Sequence, residues 1–280
     1  MIRAVSDTER AMADAVVGKL SERLAAAAPA FSAWVGVNDA AVAEALAREA
    51  FDAVVLDMQH GALDFAGASG AILAVALAGL PTIVRAPVGE FSTASRLLDA
   101  GAAGIIAPMI NSRLDAERFV SFTKFPPLGE RSWGPRAALP LSGLDAPAYF
   151  SAANSIDQTI VMIETRAALD ALDDILAVNG VDGVFIGPAD LSIALSGGRK
   201  SEPRGKAVIA AAGQVVARAR AHGKFAGMFC YDGADAAAMA ALGFKLCSVS
   251  SDLAMLRASA RSELAAARSA APPPSGESAY

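Results

Sequence analysis

The sequence predicts a closed α/β barrel of the (β/α)8 TIM type, and three observations predict it. Short apolar runs alternate with helical stretches, and eight such pairs can be counted from residue 31 onward. Alternation of this kind implies parallel strands joined by helical crossovers, and eight of them can close into a barrel. No change of composition divides the chain before its Pro-rich end, and 280 residues suit one barrel of about 250 with helices added at either end. A single barrel domain is therefore expected over residues 1–270, with a disordered tail over 271–280, where three prolines follow one another.

In order, Asp7–Ala28 has helical spacing and FSAWVGV (Phe31–Val37) reads as the first strand. Asn38-Asp39 caps a helix through Arg48. Val54–Leu56 forms the second strand, ending in Asp57-Met58-Gln59-His60-Gly61. A helix over Phe65–Ala78, a strand over Thr82–Ala86 closed by Arg85, and a helix over Phe91–Ala100 follow. GIIAPM (Gly104–Met109) is the fourth strand, with a helix over Ser112–Thr123 behind it. Lys124–Leu144, with four prolines and three glycines, is the longest irregular segment. Long loops in compact domains usually serve function, so its run Phe125–Pro140 is expected over the barrel mouth or at a subunit contact. Arg131 or Arg136 would then lie near the acceptor end of a substrate. Ala146–Ala153 is a short helix, Thr159–Ile163 the fifth strand ending in Glu164-Thr165, and Ala167–Val178 a helix. In VDGVFIGPADLS (Val181–Ser192) the sixth strand is stopped by Gly187-Pro188, and Asp190 follows at once. Lys206–His222, Phe225–Cys230, Ala234–Leu242, Phe244–Val249 and Asp252–Arg268 complete the alternation.

Composition excludes several classes. A net charge of -5 without basic clusters argues against nucleic acid. Phe65–Val84 has 20 residues without a charge, but Gly67, Gly70, Gly79 and Pro81 break it into helix, turn and strand, so no membrane span is expected. No apolar signal core follows the scattered charges of the N-terminus, and Cys230 and Cys247 sit in apolar runs as expected of buried free thiols. The expected location is cytoplasmic.

In such a barrel the C-terminal strand ends share one mouth. This places Asp57, Gln59, His60, Arg85, Glu164 and Asp190 together, and charges in a dry core need partners. Glu164 and Asp190 suit an oxygen-preferring divalent ion, Mg²⁺ or Mn²⁺. The alternative is ion pairing with Arg85 or Arg166, and Asp190 could simply cap a helix. His60 suits a general base, against the alternative of a core histidine, and Asp57 could orient it. His222, ending an outer helix, reads as structural. Arg85 suits a carboxylate or an enolate oxygen, and backbone N–H groups around Gly187–Asp190 suit a substrate carboxylate. Together these parts describe metal-assisted enolate chemistry on a small keto acid.

FDAVVLDMQHG, TIVRAP, LLDAGAAGIIAPMI, FPPLGERSWGP, MIET and GVDGVFIGPADLS occur in one order across residues 51–192. On these motifs the chain resembles the HpcH/HpaI-type class II aldolases, which cleave and form 4-hydroxy-2-oxo acids. The resemblance implies cleavage to pyruvate, or a related 2-oxo acid, and an aldehyde through a metal-stabilised enolate. His60 would be the base and Arg85 the enolate partner, and Glu164 and Asp190 would hold Mg²⁺ or Mn²⁺, with Co²⁺ as an alternative. Asp57 would support His60, as would Asp99 from a neighbouring subunit. Backbone at Gly187, Pro188 and Ala189 would take the keto-acid carboxylate. It further implies a homohexamer, a trimer of dimers, with an exchanged C-terminal helix. Gln59 and Met162 stand where many members carry Glu and Gln, and both bear on substrate choice. Rival readings are a citryl- or malyl-type CoA-ester lyase, a phosphate-binding barrel isomerase using Ser248, Ser250 and Ser251, and a catalytically silent binding protein.

Overall fold

Strands β1 (Ala30–Val35), β2 (Ala53–Asp57), β3 (Thr82–Arg85) and β4 (Gly104–Ala107) run parallel. β5 (Gln158–Met162), β6 (Gly183–Ile186), β7 (Phe225–Cys230) and β8 (Leu246–Val249) continue the sheet in sequence order. β8 pairs back onto β1, with Cys247 opposite Phe31, so the sheet closes into an eight-stranded barrel. The computed structural model describes residues 16–269. The expected N-terminal helix appears over Val16–Ala25 (α1), while its first residues and the tail over 271–280 lie outside the described residues.

The period of two along a strand decides which side chains meet inside. Trp34, Val55, Ile83, Ile106, Ile160, Met162, Phe185 and Leu246 share one interior cluster. Their neighbours Val35, Val54, Leu56, Val84, Ile105, Val161, Val184 and Met228 belong to the outer cluster, under the helices. Those helices are α2 (Ala40–Ala47), α3 (Phe65–Leu77), α4 (Phe91–Asp99) and α5 (Arg113–Thr123), then α6 (Ala138–Ser142) and α7 (Ala146–Ile156). α8 (Arg166–Asp170), α9 (Leu172–Leu176), α10 (Pro188–Leu195), α11 (Lys206–Ala221), α12 (Gly233–Leu242) and α13 (Asp252–Ser269) follow. Asp64, Ser112, Asp145, Thr165 and Asp232 cap helix starts by accepting a backbone N–H three residues on. The single helix expected over residues 167–178 is broken in two at Ala171. Cys230 and Cys247 are buried free thiols, as expected. His222 ends α11 and meets Asp173 at 3.2 Å, a structural place. No helix among the described residues is long and apolar enough to cross a membrane.

The long segment after α5 corrects an expectation. α5 runs back from the mouth to the opposite, N-terminal end of the barrel, and the segment stays there with α1, α6 and α7 as a plug. It is no lid over the mouth of its own barrel. Arg131 has no exposed side-chain surface; it is held by Asp157 at 2.6 Å and Asp99 at 2.8 Å, and lies over the Phe125 ring. Lys124 is buried too, its Nζ donating to Asp182 and to the carbonyls of Asn154 and Asp157. Prolines and glycines here lay the chain across the barrel floor, where buried cations anchor it, so Arg131 is not an acceptor-binding residue of this chain. Arg131→Met should therefore leave Asp157 as an unpaired buried charge and cost about 3–5 kcal/mol of stability. Denaturant unfolding measures this, and an unchanged midpoint would refute the anchoring role.

α13 differs from the other helices. After Asp252 it stands away from the barrel, and Leu253, Leu256 and Leu264 are about half exposed or more, at 52%, 65% and 49%.

Candidate active site

Asp57 and Arg85 are direct partners across the β2–β3 register, both on the inward phase at the C-terminal end. The alternation therefore drives a carboxylate and a guanidinium into contact. Arg85 donates Nε to Asp57 Oδ1 at 2.9 Å and Nη2 to Oδ2 at 2.5 Å. Trp34 Nε1 donates to the same carboxylate at 3.2 Å, and the guanidinium sits 4.9 Å from the Trp34 ring. Burial alone would raise the Asp57 carboxyl, but the Arg85 hydrogen bonds and charge hold it below the usual carboxylate range. It stays ionised at neutral pH.

The expected Asp57–His60 contact takes a different form. Asp57 Oδ1 accepts the backbone N–H groups of Gln59 at 3.0 Å and His60 at 3.2 Å. It fixes the turn that carries His60 and makes no bond to the imidazole. Gly61 continues this turn against the backbone of Gly36, where a Cβ would stand 2.7 Å from the Gly36 carbonyl oxygen. The His60 ring is exposed at the cavity edge.

Glu164 continues the inward phase of β5 past its end, and Gly187 does the same for β6. A Cβ at Gly187 would lie 2.6 Å from Glu164 Oε2, so the missing side chain is what admits the carboxylate. Glu164 Oε1 accepts the N–H of Met109 at 2.8 Å. Met109 has a positive φ of 58°, uncommon for a residue with a side chain, and this left-handed turn aims its N–H at the carboxylate. Asn111 holds the turn by donating to the Met109 carbonyl at 3.1 Å and accepting from Thr165. Glu164 Oε2 is buried without any partner. Burial, with Asp190 adding to it, raises the Glu164 carboxyl above its ordinary value. Neither Glu164 nor Asp190 forms the alternative ion pair: Arg85 is taken by Asp57, and Arg166 donates to the Leu195 carbonyl.

An orphaned buried oxygen beside a second carboxylate fits a divalent cation. Among the described residues no cluster of three or more His, Cys, Asp or Glu forms. The protein offers two carboxylates here, and the other positions around such an ion would fall to water or substrate oxygens.

A cavity of about 500 Å³ brings His60, Asp57 and Arg85 together with Gly187, Pro188, Ala189 and Asp190, with Glu164 just behind Gly187. That volume suits a small ligand. Pro188 opens α10, whose N-cap Gly187 supplies no side chain, so the Ala189 and Asp190 N–H groups begin the helix without intrahelical acceptors. Asp190 lies in the first turn and is not the cap. Asp99 is elsewhere: it ends α4 at the floor, paired with Arg131, outside its own chain's cavity.

Beside Met162, which the sequence already marked as bearing on substrate choice, the cavity contains residues not anticipated from the sequence. Trp34, Phe229 and Tyr231 form one wall, and Met162 lies against Gly187. Asp252 accepts the N–H groups of Gly36 at 2.8 Å and Val37 at 2.9 Å, tying β1 to α13. Strand alternation would have found Trp34 and Phe229. Gln59 Oε1 is buried without a partner.

A family model described as HpcH/HpaI aldolase/citrate lyase matches residues 31–259, a span containing every cavity residue named above. The chain belongs to the HpcH/HpaI aldolase/citrate lyase family. Its relatives in this family include a hydroxypyruvate/pyruvate aldolase of Rhizorhabdus wittichii, 42% identical over 86% of this chain and 94% of that one. A 5-keto-4-deoxy-D-glucarate aldolase of Salmonella gallinarum is 33% identical over 86% and 93%. Among solved structures, an HpcH/HpaI aldolase/citrate lyase family protein from Burkholderia cenocepacia has a TM-score of 0.81 at 33% identity, covering 90% of this chain and 100% of the other. The HpcH/HpaI family resemblance read from the motifs is thereby established, and with it an enzyme of aldolase or lyase type.

Proposed function

We propose that this chain is a class II aldolase that reversibly cleaves a 4-hydroxy-2-oxo acid to pyruvate, or a related 2-oxo acid, and an aldehyde. The observation that carries the proposal is the unpartnered, buried Glu164 oxygen, lying just behind the cavity that Asp190 lines together with Arg85 and His60. A divalent ion bound by Glu164 and Asp190 would supply the positive charge that lets a keto acid take on enolate character.

The chain's own groups account for the rest. The Ala189 and Asp190 N–H groups at the start of α10 receive the substrate carboxylate. Arg85 spends Nε and Nη2 on Asp57, which fixes the guanidinium and leaves Nη1 for the oxygen that becomes negative. His60 removes the proton from the C4 hydroxyl. That oxygen becomes the aldehyde carbonyl as the C3–C4 bond breaks, and the bond's electron pair stays with C3 as the enolate. Protonation at C3 by water then gives the 2-oxo acid, and the proton taken by His60 returns to the solvent. The relatives named as aldolases of hydroxypyruvate, pyruvate and a keto-deoxy sugar acid support this class. Arg85, the one cationic side chain lining the cavity among the described residues, is already paired, which does not favour a nucleotide-bearing CoA ester.

We further propose a homo-oligomer in which a partner subunit covers the exposed leucines of α13. Exposed leucines along a helix with no packing partner mark an interaction surface. Asp99 reaches no mouth in its own chain, so its suggested support of His60 would act on a neighbour.

The full chain with Mn²⁺ in D₂O should exchange the methyl protons of pyruvate and cleave at least one 4-hydroxy-2-oxo acid. On a sizing column it should run well above the 28.4 kDa chain. Neither exchange nor cleavage across a panel of aldehydes would sink the aldolase reading.

A further inference from the structure

One wall of the cavity is a ladder of aromatic rings. Trp34 stacks on Phe185 with centroids 5.8 Å apart and meets Phe229 edge-on at 5.2 Å. Phe229 meets Tyr231 edge-on at 5.3 Å. Phe229 is inward on β7 and Tyr231 follows directly after that strand, so the rings climb from the barrel interior to the rim. Leu253 lies beside them at the start of α13. Tyr231 is 38% exposed.

The charged groups at this rim are already engaged, Asp252 by the N–H groups of Gly36 and Val37 and Asp190 by the proposed metal site. Asp190 and Asp252 line the cavity and Glu164 lies behind it, while the lining cation, Arg85, is held by Asp57. Arg204 lies 5.5 Å from the Tyr231 ring, but it pairs with Asp232 at 2.5 Å and Asp235 at 3.5 Å and does not line the cavity. The part of a substrate that points away from the keto-acid end therefore meets rings, and meets no free cation among the described residues.

From this geometry we infer the aldehyde class, an inference that rests on the aldolase reading above: the preferred aldehyde is uncharged and carries an aryl group seated against Phe229 and Tyr231. Aldehydes bearing a carboxylate are disfavoured. An aryl ring can meet Phe229 and Tyr231 in the offset or edge-to-face arrangements that aromatic pairs favour, and it loses water on both faces. A second carboxylate would instead give up its water against the rings, with no free cation among the described residues to receive it.

The test compares kcat/KM for cleavage of two substrates by the full chain with Mn²⁺: the benzaldehyde adduct of pyruvate and its glyoxylate adduct. The benzaldehyde adduct should be favoured at least tenfold, about 1.4 kcal/mol. Tyr231→Ser, at an exposed position, should lower that ratio three- to tenfold, and Tyr231→Phe should preserve it, since the ring is what acts. A wild-type ratio below ten overturns the inference, as does a ratio that Tyr231→Ser leaves unchanged. Methyl-proton exchange of pyruvate, measured on the same samples, separates the two readings. Exchange with the wrong ratio rejects the aldehyde class alone, whereas loss of exchange and cleavage together rejects the aldolase.

Discussion

Glu164→Gln leaves the barrel folded and lowers metal-dependent cleavage by a factor on the order of 10³ or more. Charge stabilisation by a bound ion is worth several kcal/mol, and each 1.36 kcal/mol is tenfold in rate. Gln retains the shape and can still accept the Met109 N–H, so the left-handed turn at Met109 has no reason to move. What it loses is the negative charge on the oxygen that has no partner in the protein. Burial already disfavours that charge in the metal-free chain. The metal-free variant should therefore unfold at the same temperature as the parent or higher. Mn²⁺ affinity by electron paramagnetic resonance, read beside the cleavage rate, is the measurement. A variant that bound Mn²⁺ as tightly as the parent would remove Glu164 from the metal site.

His60→Ala lowers cleavage by a factor on the order of 10² to 10⁴, the usual loss when a positioned acid–base group is removed. Its ring is exposed, so little stability should go with it. Pyruvate affinity should survive, because the α10 N–H groups, Arg85 and the two carboxylates remain. Proton exchange at the pyruvate methyl need not depend on this imidazole. Cleavage near the parent rate would place the base elsewhere. A parallel loss of pyruvate affinity would mean that His60 shapes the site instead of moving a proton.

Local patterns carried most of this architecture. The eight strands follow from short apolar runs ended by Gly, Pro or a polar residue, and each observed strand overlaps its expected position within a few residues. His60, Arg85 and Gly187–Asp190 share a cavity because all follow or end strands, and the barrel sends every strand end to one face. What failed depended on partners distant in sequence. Nothing local told Lys124–Leu144 which end of the barrel to cover; that was decided by Arg131 finding Asp157 and Lys124 finding Asp182. Asp57 was read with His60 because they are three residues apart. It does hold the backbone N–H of His60, but the inter-strand register also gives it Arg85, a pairing invisible until β2 and β3 are aligned. The alternation of β1 and β7 does turn Trp34 and Phe229 inward, but that their rings meet in one wall shows only when the barrel closes.

The floor of the barrel has a consequence for how the chain assembles. Lys124 comes from its first half, yet its ammonium is satisfied by Asn154, Asp157 and Asp182, all from the second. Arg131 likewise joins Asp99 to Asp157 across that divide, and Lys245 reaches back across 219 positions to the carbonyl of Ala26. These bonds have high loop-closure cost and form only after both halves are present. A fragment ending after α5 would hold a lysine shaped for burial with nothing to receive its charge. The floor thus acts as a completeness check: four strands cannot rest as a finished half, and the chain reaches a stable state only as a whole ring.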